Sequence, residues 1–276
     1  MTRLCPKSRR MYLLALILSS ILTGTCGKAL ADNNKTTGQA KVGKVASNPL
    51  STPAPPPGKI YAWRLNQPDQ MIGKRVIYIG QNGYRAAYTQ GHYSMVSSAP
   101  KWDVTYYSSD QKLFCTKSMA QWKTSMNTRA KLFRDSLYPE NWTVKPGKTI
   151  KILGHPCQSY VFASTKPVDA GSIAKSTIYV GQELVVPPKM SDFFAVTWGK
   201  NLSDHHMVRI ELELGNGYKS TKLETKGIDK VLVDANFFDI PQGFKATQNE
   251  SQITLGDGLI NDIVNDLGKQ LGTGKK

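Results

Sequence analysis

His155 and Cys157 stand two positions apart, and a thiolate beside an imidazole is the nucleophile of one class of hydrolases. Pro156 lies between them, and no third group that would orient the imidazole is marked nearby. Cys157 therefore carries three readings: half of a disulfide with Cys115, a free buried thiol, or a nucleophile. Asp204-His205-His206 offers three adjacent metal-ligating side chains. Neighbours on a strand point to opposite faces and no further ligand stands at a supporting spacing, so the triplet is expected on a surface loop. The chain has no Gly-x-Ser-x-Gly elbow, phosphate-binding loop, His-Glu-x-x-His helix or dinucleotide fingerprint. The expectation is a protein that is not an enzyme and holds neither metal nor cofactor.

The elements that must position these residues begin with the N-terminus. Arg3, Lys7, Arg9 and Arg10 precede the apolar run from Met11 to Leu22, and Ala29-Leu30-Ala31 follows before Asp32. A basic start, a short apolar core and small residues at −3 and −1 form a secretory signal cleaved between Ala31 and Asp32. The run is about 12 residues, short of the ~20 that span a bilayer. Lipidation at Cys26 is the alternative, but the bulky Thr25 directly before it favours release at Ala31. The expected location is the periplasm or the medium.

Cleavage removes Arg3, Lys7, Arg9, Arg10 and Lys28, leaving +11 of the chain's +16. That surplus suits an anionic envelope surface. The basic residues are scattered and no nucleic-acid-binding motif occurs, so nucleic acid is not expected as a partner. Cleavage also removes Cys5 and Cys26. The remaining pair, Cys115 and Cys157, is expected to form a disulfide in an oxidising compartment, where closing a 42-residue loop contributes about 4 kcal/mol.

Residues 32–58 are rich in Asn, Lys, Thr, Gly, Ser and Pro, end in Pro53-Ala54-Pro55-Pro56-Pro57-Gly58, and read as a disordered linker. A domain is expected over 59–254. Arg75 to Ile79 and Tyr84 to Tyr88 form a hairpin about an Asn82-Gly83 turn, and Tyr93–Val96, Asp103–Tyr107 and Lys112–Thr116 continue as a meander. Val208 to Leu214 puts four apolar side chains on one face and Arg209, Glu211 and Glu213 on the other. Two helices interrupt the strands, at about 118–137 with Ser118 as N-cap and at 189–198. A last amphipathic helix follows Asp257 within 255–276.

Ile152-Leu153-Gly154-His155-Pro156-Cys157-Gln158-Ser159-Tyr160, Ser176 to Val180, and Val233-Asp234-Ala235-Asn236-Phe237-Phe238-Asp239-Ile240-Pro241-Gln242-Gly243-Phe244-Lys245 resemble the outer-membrane lipoprotein carriers. The linker and the final helix have no counterpart in those carriers. The resemblance, over roughly 70–250, implies an α+β fold: a curved antiparallel sheet, an incomplete barrel, whose apolar face is covered by helices. It further implies a hydrophobic ligand, a lipid or the acyl chain of a lipidated protein; the side chains expected to contact it, from the helix at 189–198 and the apolar face of 208–214, are Phe193, Phe194, Trp198, Ile210 and Leu212. The alternative is an envelope interaction module whose core is filled by those same side chains.

Overall fold

The computed structural model describes residues 53–69, 73–89, 91–126, 137, 142–198, 202 and 204–254. The signal with its Ala31/Asp32 junction, Cys26, the linker to residue 52, Ala130 and Phe133 of the first helix, and the helix of 255–276 lie outside them. The first six strands are β1 (Lys59–Asp69), β2 (Gly73–Gly80), β3 (Gly83–Tyr88), β4 (Tyr93–Ser98), β5 (Val104–Ser108) and β6 (Leu113–Lys117). Helix α1 is described over 119–126. Then come β7 (Thr143–Ile152), β8 (His155–Ala163), β9 (Ile173–Val185), α2 (Pro188–Trp198), β10 (His205–Leu214), β11 (Lys219–Glu224), β12 (Gly227–Asp234) and β13 (Lys245–Ala246).

The strands form one open sheet in the order β13-β6-β5-β4-β3-β2-β1-β11-β10-β9-β8-β7, with β12 paired to β1. Pairing is antiparallel except for β13 on β6. The molecule is thus mostly β with a few short helices, and the sheet does not close into a barrel. Both edges are blunted in the way edge strands require: β13 is two residues long, and β7 carries Lys145, Pro146, Lys148 and Lys151.

The sheet branches where β11 runs into β12. The Thr225 N–H donates to Val208 O on β10 and the next amide, Lys226 N–H, donates to Asn66 O on β1. Gln67 fills the fork: its Nε2 donates to Met207 O at 2.6 Å and to Thr225 Oγ1 at 3.0 Å.

Side-chain contacts show how far the sheet curls. Tyr84 on β3 and His206 on β10 are four strand steps apart, about 19 Å on a flat sheet. Their ring centroids are 5.9 Å apart. Trp63 on β1 and His155 on β8, also four steps apart, are 5.4 Å from centroid to centroid. Only a strongly bent sheet brings such rings together, and the register shifts between β9 and β10 supply local bending.

Each face then solves a different burial problem. The inner face collects the larger core, including Leu65, Ile77, Ile79, Ile178, Ile210 and Leu212. On β10 the expected alternation holds: Val208, Ile210 and Leu212 are buried, while Glu213 pairs with Lys175 at 2.5 Å and Arg209 with Glu224 at 3.6 Å on the outer side. Farther along the outer face, Ala62, Val96, Tyr107 and Phe238 form a smaller apolar cluster.

Residues 235–246 strap this smaller cluster. Phe237 packs on Tyr78 at 4.7 Å and lies 4.8 Å from the Arg85 guanidinium, Phe244 meets Tyr107 at 5.7 Å, and β13 docks on β6. Phe238 lies on the end of the β2–β3 hairpin, where a Cβ on Gly83 would stand 2.3 Å from its ring. That contact explains a one-residue difference from the sequence expectation. The two-residue loop is Gln81–Asn82, and Gly83 is a strand residue paired with Gly80, kept small by the ring above it.

The expected disulfide is absent. Cys115 and Cys157 are both free and buried. Cys115 lies on β6 and Cys157 on β8, with eight strands between them in the sheet order, so each thiol is enclosed in its own part of the core.

The strap contact yields a coupling that can be measured by urea denaturation. Phe238→Ala is expected to lower the unfolding free energy by about 3 kcal/mol. Gly80→Ala is expected to be destabilising in the native chain and nearly neutral in the Phe238→Ala background, because its methyl group meets only the ring tip, Cε2 at 2.8 Å and Cζ at 3.0 Å, that this change removes.

Candidate functional site

The inner face of the sheet is covered where α2 crosses it. Pro187-Pro188 sets the entry, since a proline has its φ already fixed and needs no amide partner in the first turn. Steps of three and four then turn Met190, Phe193 and Phe194 inward, with 0%, 7% and 1% exposure. Phe193 stacks on Trp122 of α1 at 4.1 Å. Phe194 meets Tyr84 and His206 edge-on at 5.3 and 5.6 Å.

Helix α1 opens on a reciprocal cap, the Gln121 N–H donating to Ser118 Oγ and the Ser118 N–H to Gln121 Oε1, as the Ser-x-x-Gln spacing favours. Trp122 Nε1 donates to the Tyr106 hydroxyl at 2.9 Å, and Lys123 pairs with Asp192 of α2 at 2.8 Å. Lys117 on β6 pairs with Glu250, which holds the helical turn 250–254 and buried Ile253 against the same core.

Four of the five residues expected to meet a ligand come together here. Phe193, Phe194, Ile210 and Leu212 belong to one buried cluster; the Trp198 side chain lies outside the described residues. They fill the bowl rather than line a void, because the two helices press aromatic rings onto the strands they would have to leave exposed.

Open space lies beside them, in a cleft of about 330 Å³ walled by Tyr61, Trp63, Ile79, Val185, Val186 and Pro187. Lys230 caps it, its Nζ 5.0 Å from the centre of the Tyr61 ring and 5.9 Å from that of Trp63. Glu183 stands in the wall with its carboxylate 2.9 Å from His155 Nδ1, and His155 in turn abuts Trp63 edge-on. None of the cleft residues was singled out by sequence reasoning, because the wall joins the paired strands β2, β1 and β12 to the end of β9, which curvature brings beside them.

The orienting group that sequence spacing does not mark is Glu183, on the His155 imidazole, while Cys157 Sγ donates to the backbone oxygen of His155 at 3.4 Å rather than to the ring. Burial pushes both the Cys157 and Cys115 thiols up, away from the thiolate form. A second hollow, about 370 Å³ and lined by Arg85, Asp234, Asn236, Asp239 and Gln242 among others, sits by the strap. Its Asp234 is already paired with Lys59 at 2.7 Å.

The Asp204-His205-His206 triplet is not a surface loop. The histidines open β10, and His206 faces inward at 3% exposure, with neither ring nitrogen hydrogen-bonded. No group of three or more metal-ligating His, Cys, Asp or Glu side chains occurs among the described residues. Close by, Arg75 is 6% exposed, its Nε donating to Gln67 Oε1 at 3.2 Å. The signal for Arg75 was present in β2, where Arg75, Ile77 and Ile79 alternate onto one face and put a guanidinium on the apolar side. Burial, and the positive charge of Arg75, push His206 down to about 3 from its ordinary 6.5.

No protein-family model matches the chain, and no curated protein does. Solved structures similar to it include a conserved protein from Thermus thermophilus (8% identity over 67% of this chain and 89% of that one, TM-score 0.30). A second is a domain from Vibrio parahaemolyticus described as an outer membrane lipoprotein-sorting protein (12% identity, 62% and 84%, TM-score 0.22). A third is a DUF1329 family protein from Desulfovibrio piger (8% identity, 71% and 91%, TM-score 0.21). At these identities and TM-scores the likenesses transfer neither family nor function.

The buried histidine sets a pH dependence. Unfolding lets His206 regain its ordinary affinity for a proton, so its contribution to stability is complete above pH 6.5 and is lost as pH falls toward 3. Urea denaturation at several pH values is expected to show the native chain losing about 1.4 kcal/mol per pH unit more than His206→Leu across that window.

Proposed function

We propose that the chain is an exported, non-enzymatic binding protein that takes the apolar part of a lipid-like ligand in the cleft beside α2, with α2 as a lid over the inner face. The observation that carries this reading is the cleft itself. Its 330 Å³ falls at the small end of ligand pockets, it is walled by Trp63, Val185, Val186 and Pro187, and it shares Ile79 and Val186 with the buried core. Val185, 57% exposed, puts an apolar side chain at its rim.

The secretion signal and the net charge of the cleaved chain support work near an anionic envelope, where lipids and lipidated proteins are the available apolar partners. A packed core favours a second reading, an interaction module of the envelope, since Phe193, Phe194, Ile210 and Leu212 are all buried against each other or the sheet. In the first reading this packing is the closed state. The ring contacts described for α2 are aromatic and its described ion pair, Lys123–Asp192, is at the surface, so lifting it breaks no buried ion pair among the described residues.

Native mass spectrometry separates the two. The full chain, expressed with its own N-terminus in a bacterial host and purified without detergent, is expected to carry a lipid-sized adduct that organic extraction removes. A bare protein mass that gains nothing when lipids are offered refutes ligand binding and leaves the filled module.

A further inference from the structure

His206 is 3% exposed and neither of its ring nitrogens finds a partner, although an imidazole offers one donor and one acceptor that a buried site ordinarily satisfies. Leaving such groups unpaired is costly, and the cost is concentrated at one spot beneath Phe194. Other buried orphans among the described residues are single atoms, such as the hydroxyls of Ser97 and Ser176 or one guanidine nitrogen of Arg209. The charge that acts on the ring is the positive charge of Arg75. Gln67 fixes that guanidinium, accepting from its Nε while anchoring its own amide on Met207 O and Thr225 Oγ1.

Two residues of the cleft wall are tied to this spot. Ile79, in the cleft wall, is the cross-strand partner of Tyr84, and Tyr84 packs on the His206 ring. Val186, on the same wall, donates its N–H to the oxygen of Asp204, two residues before His206. An elongated molecule entering past Trp63 and Val185 therefore meets apolar wall first and, once α2 lifts, a hydrogen-bond donor in a positive field.

We propose that the ligand is an amphiphile with an anionic head, inserted head first, and that His206 and Arg75 form the head-group subsite beneath α2. The inference rests on the cleft reading above and adds to it the class of ligand. A carboxylate and a phosphate monoester share the required chemistry, oxygen acceptors bearing negative charge on a single long tail. Bound there, the head accepts from the imidazole N–H and the guanidinium, replacing the ring faces that cover His206 in the closed state.

Calorimetric titration of the full, signal-cleaved chain with palmitate, monohexadecyl phosphate and hexadecanol tests this. Both anionic probes are expected to bind at least about ten-fold more tightly than the alcohol, and the ratio between the two anions tells which head the subsite prefers. His206→Leu is expected to lower the palmitate-to-hexadecanol ratio several-fold without abolishing it, because the Arg75 guanidinium stays in place. His206→Gln, which restores a donor, is expected to recover part of it, separating the lost hydrogen bond from altered packing. Equal affinity for all three probes, or a ratio that His206→Leu leaves intact, overturns the subsite and leaves the apolar cleft standing. Failure of the native chain to bind any of the three overturns the cleft reading together with the subsite.

Discussion

The edge-on contact of Phe194 with Tyr84 and His206 is the point at which sheet curvature, helix position and buried polarity all meet. Tyr84 comes from β3 and His206 from β10, so their contact closes a span of four strands, and Phe194 sits where the two arms converge. Relax the curl and the inner face opens to water. Lift α2 and the same face is exposed without unpairing a strand, because α2 contributes no ladder hydrogen bonds to the sheet. An open sheet with an apolar face on each side must cover both. Here the outer one has a strap that ends as a paired strand, whereas the inner one has a helix held chiefly by ring contacts.

That asymmetry separates framework from movable part. The strap is tied by β13 on β6 and by the Phe238 ring over Gly80 and Gly83, a fit in which a methyl group would collide. On the inner face, Phe193 and Phe194 meet Trp122, Tyr84 and His206 through soft, non-directional contacts, and the polar tie described between the helices, Lys123–Asp192, is at the surface. Local opening draws on regions with few directional bonds, and α2 is such a region. The polar groups below it are held from the other side: Gln67 locks the fork between β1, β10 and β11 and presents Arg75 whether or not α2 is in place.

Most strands were legible from sequence because alternation and turn residues are local signals. The meander from β2 to β6, the two-faced β10 and the Ser118 cap all follow from neighbours within a few positions. What escaped was everything decided by strands distant in sequence. The cleft joins Trp63, Val185 and Lys230, and no local pattern relates these three positions. The disulfide expectation failed for the same reason, since parity of cysteines and compartment carry no information about which strands are neighbours. His205-His206 was placed on a loop because polar triplets usually are; tertiary burial overrode that tendency at the start of β10. Phe193, Phe194, Ile210 and Leu212 fall in one buried cluster, but their spacing in sequence does not say whether such residues line a space or fill it.

The central claim is that α2 opens on its own while the sheet stays folded. Native-state hydrogen exchange read at individual amides tests it directly. The account predicts that amides of 191–197 exchange faster than those of Ile77, Ile79 and Ala86 in the inner strands, and that they slow when palmitate is bound. If the α2 amides exchange only as fast as those strands, with and without palmitate, the helix opens only when the domain unfolds, and the lid account is wrong.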